Sequence, residues 1–373
     1  MVHELDYGGM ERLVGAIVRL IDHDRFESHI LTMSGFGRLA EGLEADAQLH
    51  RFRPAPHVSM LWPVGLIRKI RAIAPDVVHS HSGVWYKTSL AARRARVPRL
   101  VHTDHGRQYP DPWTARFLDR MAARRTDVVV AVSDVLARQL AERVVPRGCP
   151  MRVVVNGVDT MRFRPQPING SLRKELGLPD AAPVIGSIGR FEPVKAYDVM
   201  IEAFALLHAQ WQSIPKPALV LVGDGMERSK LAGLIERLGL GNAIRLAGWR
   251  KEVERLYPLF DLFTLSSHSE GTSLGLLEAM SCGVCPIVTA VGGSASVLGE
   301  RLRHRLVPPG DASALAAAWR EGLVDRDRRV RDAAVARDRI ERGFGIGTMV
   351  RQYERIYVGA PWPASTTGEA AST

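Results

Sequence analysis

Apolar and polar positions along this chain fall into repeating blocks. A short continuous apolar run gives way to a polar or glycine-rich turn, and then to an apolar stripe at helical spacing. That rhythm predicts buried parallel strands joined by helices. The clearest block covers residues 266–286, SSHSEGTSLGLLEAMSCGVCP. The apolar run before it, YPLFDLFTLSS, ends in small polar residues, as a buried parallel strand does. Glu270, Gly271, Thr272 and Ser273 predict a turn, with Thr272 or Ser273 as N-cap. LGLLEAM continues as a helix that Cys282 and Gly283 end.

The same unit recurs on either side. Gly8 and Gly9 open an apolar periodic run, a glycine turn into a helix, but only a few residues of poor strand pattern precede them. The expectation is a shortened first strand, or a start that lies upstream. SHILTM reads as a strand and VGLIRKIRAI as a helix; APDVVHSHS, PRLVHTDHG and DVVVAVS read as strands. KTSLAARRARV and SDVLARQLAERV are helices, the second capped by Ser133. MRVVVNGVD closes this half, and the proline- and glycine-rich stretch after it reads as a linker. A second series begins at APVIGSIGR. It continues through ALVLVGDG, AIRLAGW, the helix EVERLYPLF, the block at 266–286, PIVTAVGG and HRLVPPGD. Residues 330–357 read as helical, and 359–373 as a disordered tail. The predicted domains are 1–165 and 166–343, with a final helix over 344–358.

Composition narrows the class. A chain of 373 residues that is 46% hydrophobic supplies two cores of ordinary size. No apolar run is long enough for a membrane helix, and no signal peptide opens the chain. Cys149, Cys282 and Cys285 make no disulfide framework, which points to a reducing cytoplasm. Cys282 and Cys285 form a C-x-x-C without a second pair, so packing is the expectation rather than zinc or redox chemistry. The net charge of +10 is uneven. Residues 1–165 carry 25 Lys+Arg against 17 Asp+Glu, and the remainder 25 against 23. The excess suits an anionic partner, a lipid surface or a phosphorylated acceptor. No nucleic-acid motif accompanies it.

Candidate chemistry sits at strand ends, where ligands bind in open α/β sheets. His79, His81 and His105 end neighbouring strands of the first half. In the second half, Gly186 and Gly189 lack the third glycine of a dinucleotide fingerprint, so a nicotinamide cofactor is not favoured. Arg190 and Lys195 follow instead, two cations suited to a diphosphate leaving group. Gly223 sits in the glycine turn after the next strand. The helix opening at Ser273 and Leu274 offers unpaired N–H groups to a phosphate. Glu270 and Glu278 offer carboxylates to sugar hydroxyls. Trp62, Trp85 and Trp113 lie in the basic half and have rings that suit sugars or an interface, Trp85 with His79 and His81 on the acceptor side.

Taken in order, YGGMER, DVVHSHS, TDHG, VVNGVD, GSIGRFEPVK, LVGDG, EGTSLGLLE, CGVCPIVT, VGG and VPPGD resemble a retaining glycosyltransferase of family 4. The resemblance implies the GT-B fold, an α/β architecture of two Rossmann-like domains facing across a cleft. The first would bind the acceptor, the second the nucleotide sugar, and the last helix would cross back to the first. By the resemblance, Arg190 and Lys195 grip the diphosphate and Glu278 binds the ribose. Glu270, with the amides of Gly271, Thr272 and Ser273, holds sugar and phosphate. Gly9 approaches the phosphate, and His105 meets the transferred sugar. No metal or other cofactor is implied. The donor would be a UDP- or GDP-sugar, and the acceptor a glycan or lipid-linked hydroxyl at the inner face of a membrane. Two positions depart from the family pattern: Ser296 stands where a glutamate is usual, and Cys285 where CG-x-P has proline. The alternatives are a sugar-nucleotide epimerase or phosphorylase of the same fold, or a non-catalytic nucleotide-sugar-binding protein.

Overall fold

The computed structural model of the protein describes residues 1–6, 8–52, 63–106 and 112–362. It forms two compact units, Met1–Asn156 with Ile346–Thr373, and Gly157–Gly345. All the strand pairing in both is parallel.

The first unit contains β1 (Val2–Glu4), β2 (His29–Gly35), β3 (Gln48–Arg51), β4 (Val77–His81), β5 (Arg99–Asp104), β6 (Val128–Ala131) and β7 (Met151–Val153). β1, β2 and β3 pair in that order, and β4 to β7 pair in theirs. Met1 joins the two sets. Its amine donates to the His79 carbonyl, and its carbonyl accepts from the His81 amide at 3.1 Å. The order across the unit is therefore β3-β2-β1-β4-β5-β6-β7, with its reversal between β1 and β4. Burial explains the strands. All four residues of β6 are buried, and Leu100 and Val101 of β5 are fully enclosed. β3 is half polar, QLHR on an edge, and so carries no apolar run for a pattern to catch.

The helix Ile346–Val358 belongs to this unit. It buries Met349, Val350, Tyr353 and Ile356, one stripe at helical spacing. Tyr353 Oη and Thr103 Oγ1 are hydrogen-bonded at 3.2 Å, and Glu354 accepts from the Asp22 amide at 2.9 Å.

The second unit contains β8 (Val184–Ile188), β9 (Ala218–Val222), β10 (Ile244–Gly248), β11 (Leu262–Leu265), β12 (Cys285–Thr289) and β13 (Leu306–Val307). They lie in the order β10-β9-β8-β11-β12-β13, reversing between β8 and β11. That is the doubly wound order, which opens a crevice at the carboxyl ends of the two central strands. Apolar cores fill both faces of the sheet. One holds Tyr257, Phe263 and Met280, the other Tyr197, Phe204 and Trp319.

Several sequence expectations change here. The boundary falls after Asn156, not at 165. Val158 donates its amide to the Phe344 carbonyl at 2.8 Å, and Phe163 is 3% exposed in the core beside Tyr257. The stretch expected to be a linker is thus anchored in the second unit. EVERLYPLF forms two 3₁₀ turns, Val253–Arg255 and Tyr257–Leu259, rather than a helix. Pro258 has no N–H to give and disfavours α conformation in the residue before it. The helical stretch at 330–357 breaks at Phe344 into Arg326–Gly343 and Ile346–Val358. The first residues of the expected disordered tail are folded back: Ala360 donates to the Arg355 carbonyl, and the Arg152 guanidinium lies over the Trp362 ring. The remainder of that tail, 363–373, lies outside the described residues, as do Tyr7 and Trp62.

Phe163→Ala is expected to cost about 3 kcal/mol, the usual penalty for emptying a buried aromatic site. Chemical denaturation monitors it, and an unchanged midpoint would return the stretch after Asn156 to the status of a linker.

Candidate functional site

The exits of β8, β11 and β12 meet at the crevice of the second unit. β8 leads into Gly189 and Arg190. The Gly189 amide donates to Val222 O, and the Phe191 amide to Asp224 O, which ties this exit to the turn after β9. The turn must be glycine. Gly223 has φ +139°, and a Cβ there would lie 1.9 Å from the Gly189 carbonyl oxygen. A 3₁₀ turn, Pro193–Lys195, follows and delivers Lys195.

β11 exits through Ser266, whose hydroxyl donates to the carbonyls of Lys195 and Ala196 at 2.9 and 2.8 Å. His268 donates its amide to Val194 O at 2.8 Å. The lysine turn is thereby fixed to the loop that carries Glu270. The Lys195 ammonium lies 2.7 Å from Glu270 Oε1, and the Ser267 hydroxyl donates to the same oxygen at 2.6 Å. The Glu270 side chain is 8% exposed. From the third exit, Gly293 donates its amide to Gly271 O at 2.7 Å. Gly292, at φ +53°, lies so close that a Cβ would fall 1.7 Å from the Glu270 carbonyl oxygen.

Ser273, not Thr272, caps the helix Leu274–Ser281, accepting from the Leu276 amide. Gly271, Thr272 and Leu274 therefore sit around a helix start, beside a part-buried ion pair. Glu278 lies on the same helix, 2% exposed, and Tyr257 Oη donates to its Oε2 at 2.6 Å. Arg190 is the open cation of the group. Its side chain is 62% exposed, with Glu192 at 3.1 Å. A lysine ammonium has three N–H donors, so Lys195 can hold Glu270 and still donate to a ligand oxygen. Strand-end position alone foretold that Arg190, Lys195 and Glu270 lie together at these exits. It did not foretell Ser267 or Tyr257, which hold the two carboxylates. Ser267 carried a weak signal in the small polar pair that ends β11; Tyr257 carried none.

In the first unit the strand-end histidines form a ladder. His105 Nε2 and His81 Nδ1 are 3.0 Å apart, and the His81 ring lies tilted against His79, with centroids 4.0 Å apart. His79 is bonded through both ring nitrogens, to Tyr357 Oη at 2.7 Å and Thr103 Oγ1 at 2.8 Å. It ties the last helix to β4 and β5 rather than facing an acceptor. Trp85 departs further from expectation. It is 2% exposed, stacked on His102 at 3.9 Å, and donates from Nε1 to Thr126 at 2.9 Å. A ring enclosed in this way presents no face to an acceptor. Gly9 is the first residue of the helix Gly9–Leu20.

The C-x-x-C is packing. Cys282 and Cys285 are buried free thiols, and burial pushes their pKa values up to about 12 and about 11. Such thiols are inert. Among the described residues no cluster of three or more His, Cys, Asp or Glu side chains could hold a metal ion.

Two cations and two carboxylates gathered at the strand exits of a doubly wound unit, in a chain that carries a second such unit, point to a glycosyltransferase of the GT-B fold that uses a nucleotide sugar. Residues 7–162 match the family model for glycosyltransferase family 4, and residues 169–339 that for glycosyl transferases group 1. The D-inositol 3-phosphate glycosyltransferase of Thermobispora bispora is 32% identical over 307 residues, covering 76% of this chain and 71% of that protein. The N-acetyl-alpha-D-glucosaminyl L-malate synthase of Bacillus anthracis is 28% identical over 289 residues, 76% and 74% of the two chains. Anabaena HepE, solved with UDP-glucose, superposes with TM-score 0.82 at 22% identity, over 96% of this chain and 99% of that one. The chain belongs to glycosyltransferase family 4.

Burial holds His105 down to about 4 and drives His79 and His81 well below the ordinary histidine value, with their neighbours' charges adding to the effect. Neutral rings are favoured in the fold, whereas the unfolded chain binds protons near 6.5. Stability from the ladder is therefore full above about 6.5 and lost as pH falls toward about 4. Melting temperature should decline over that window and decline less steeply in His81→Asn; equal slopes would contradict a neutral buried ladder.

Proposed function

We propose that this protein is a retaining transferase that moves a hexose from a UDP- or GDP-sugar to a hydroxyl of a glycan or lipid-linked acceptor. The setting would be cell-surface polysaccharide or glycolipid synthesis, in the cytoplasm at the inner face of the membrane. The observation that carries the reading is the Lys195–Glu270 pair, held at 2.7 Å beside the start of the helix Leu274–Ser281. Anabaena HepE, of like fold, was solved with UDP-glucose, which fits a donor of this kind.

Arg190, Lys195 and the amides of Gly271, Thr272 and Ser273 take the diphosphate. Lys195 and the backbone amides are held by the fold before the donor arrives, and Arg190 joins them from the open side, so that together they stabilise the charge that develops as the diphosphate leaves. Glu270 accepts from sugar hydroxyls and Glu278 from the ribose, its carboxylate oriented by Tyr257. The turns at Gly189 and Gly223 bring the backbone close enough for the phosphates. By the family resemblance, Gly9 would meet the phosphate, and His105, hydrogen-bonded to His81, the transferred sugar.

In the reaction the bond from the anomeric carbon to the phosphate oxygen breaks, leaving oxocarbenium character on the sugar. The acceptor oxygen forms its bond to the same face, and its proton passes to the departing phosphate oxygen. No protein nucleophile is required. Tight fixation of the leaving group by protein cations supports transfer without a metal ion.

A second acceptor reading comes from the relatives. Two are named for inositol 3-phosphate and L-malate, small polar acceptors carrying negative charge. The basic first half suits either those or a lipid phosphate.

Proton NMR of the product's anomeric signal tests the mechanism. A UDP- or GDP-hexose with an α linkage should yield an α product, and Arg190→Ala should lower kcat about a hundredfold, the usual cost of losing one transition-state cation. A β product, or an Arg190→Ala enzyme of full activity, would overturn it. Sugar isomerised without any acceptor would favour the epimerase instead.

A further inference from the structure

We propose that the exposed face of the helix Trp113–Ala123 docks this protein onto an anionic lipid surface. The helix is built the wrong way round for a core element. Its buried contacts are Ala122 and Ala123, at 0% and 1% exposure, while its large rings point outward, Trp113 at 72% and Phe117 at 58%. Residues four apart share a helix face, so the two rings form one apolar ridge. Trp and Phe are the side chains that seat best at the boundary between headgroups and acyl chains.

Charge commits the ridge to one occupant. Arg116, Arg120 and Arg124 lie exposed along the same stretch. Arg120 donates to the Arg143 carbonyl, a neutral partner that leaves its charge in place. Asp119 is the helix's one acid, and it is half-buried. The neighbouring helix Trp85–Ala95 packs alongside and ends in Arg93, Arg94 and the exposed Arg96. Arg93 is neutralised by Asp127 at 2.7 Å, so Arg96 is the exposed charge that this helix end adds. Aromatic rings flanked by arginines match a bilayer with phosphate headgroups. No helix among the described residues is long and apolar enough to cross a membrane, so binding would be peripheral.

Position gives the docking a use. This helix is the crossover that leaves the carboxyl end of β5, the strand edge that also carries His105. A surface bound there lies close to that edge, which favours an acceptor carried by lipid. That consequence rests on the transferase reading; the docking does not.

Sedimentation of the full chain with vesicles tests it. Binding is expected to phosphatidylcholine–phosphatidylglycerol vesicles, not to phosphatidylcholine alone, and to weaken with salt. The double variant Trp113→Ala, Phe117→Ala should lose about tenfold in partition, and Arg116→Glu, Arg120→Glu at least as much, with melting temperatures unchanged. Undiminished binding by both folded variants would overturn the proposal. So would a wild-type protein that stays in solution with anionic vesicles at low salt. If that protein still transfers sugar to a soluble acceptor, the docking fails and the transferase reading stands. A self-associated dimer abolished by the aromatic double variant would assign the ridge to a second copy and also overturn it.

Discussion

A carboxylate 8% exposed at the mouth of a parallel sheet is costly unless its charge is met, and Glu270 is met twice, by the Lys195 ammonium at 2.7 Å and the Ser267 hydroxyl at 2.6 Å. The loops around it arrange themselves to keep that contact. Lys195 arrives on a 3₁₀ turn whose carbonyls are bound by Ser266, one residue beyond β11. The Glu270 backbone is pressed by Gly292 so closely that no side chain fits between. Three strand exits are thus locked by one charged contact and its hydrogen-bonded frame. Removing Lys195 would leave the Glu270 charge met by the Ser267 hydroxyl alone, at the mouth of the sheet.

The two units use polarity differently. The second unit gathers opposite charges at its switch point, with Lys195 and Glu270 held against each other. The first unit buries neutral histidines against one another and keeps its positive charge outside, on helices that leave the strand ends. Burial depresses those rings because a charged imidazole there would lose its water without gaining an anion. A neutral ring can both donate and accept, which suits hydroxyls rather than phosphate. The chemistry of each unit so matches a different part of a transfer reaction.

Much of this was legible in the sequence because parallel strands buried on both faces leave uninterrupted apolar runs, and the turn after each must be polar or glycine. That logic found β8, β9, β11 and β12, the Ser133 cap and the positions of Arg190, Lys195 and Glu270. It failed where apolarity and burial part company. β3 is an edge strand with polar residues, and the helix Trp113–Ala123 buries alanines while exposing its rings. It failed again where contact is made over distance. Phe163 looks like a linker residue until its neighbour in space, Tyr257, is known. Tyr257 holds Glu278 from 21 residues away, and Trp85 faces His102 rather than any acceptor. Periodicity reports which way a side chain points, not what it meets there.

The central claim is that the crevice between β8 and β11 binds a nucleoside diphosphate through Glu278 and its neighbours. Thermal unfolding of the full chain with UDP, GDP, ADP and dTDP tests it most directly, since a ligand that binds only the folded state raises the melting temperature. A rise with UDP or GDP that is lost in Glu278→Ala is expected. A rise of equal size in that variant would contradict the site, and no rise with any of the four would contradict the donor chemistry itself.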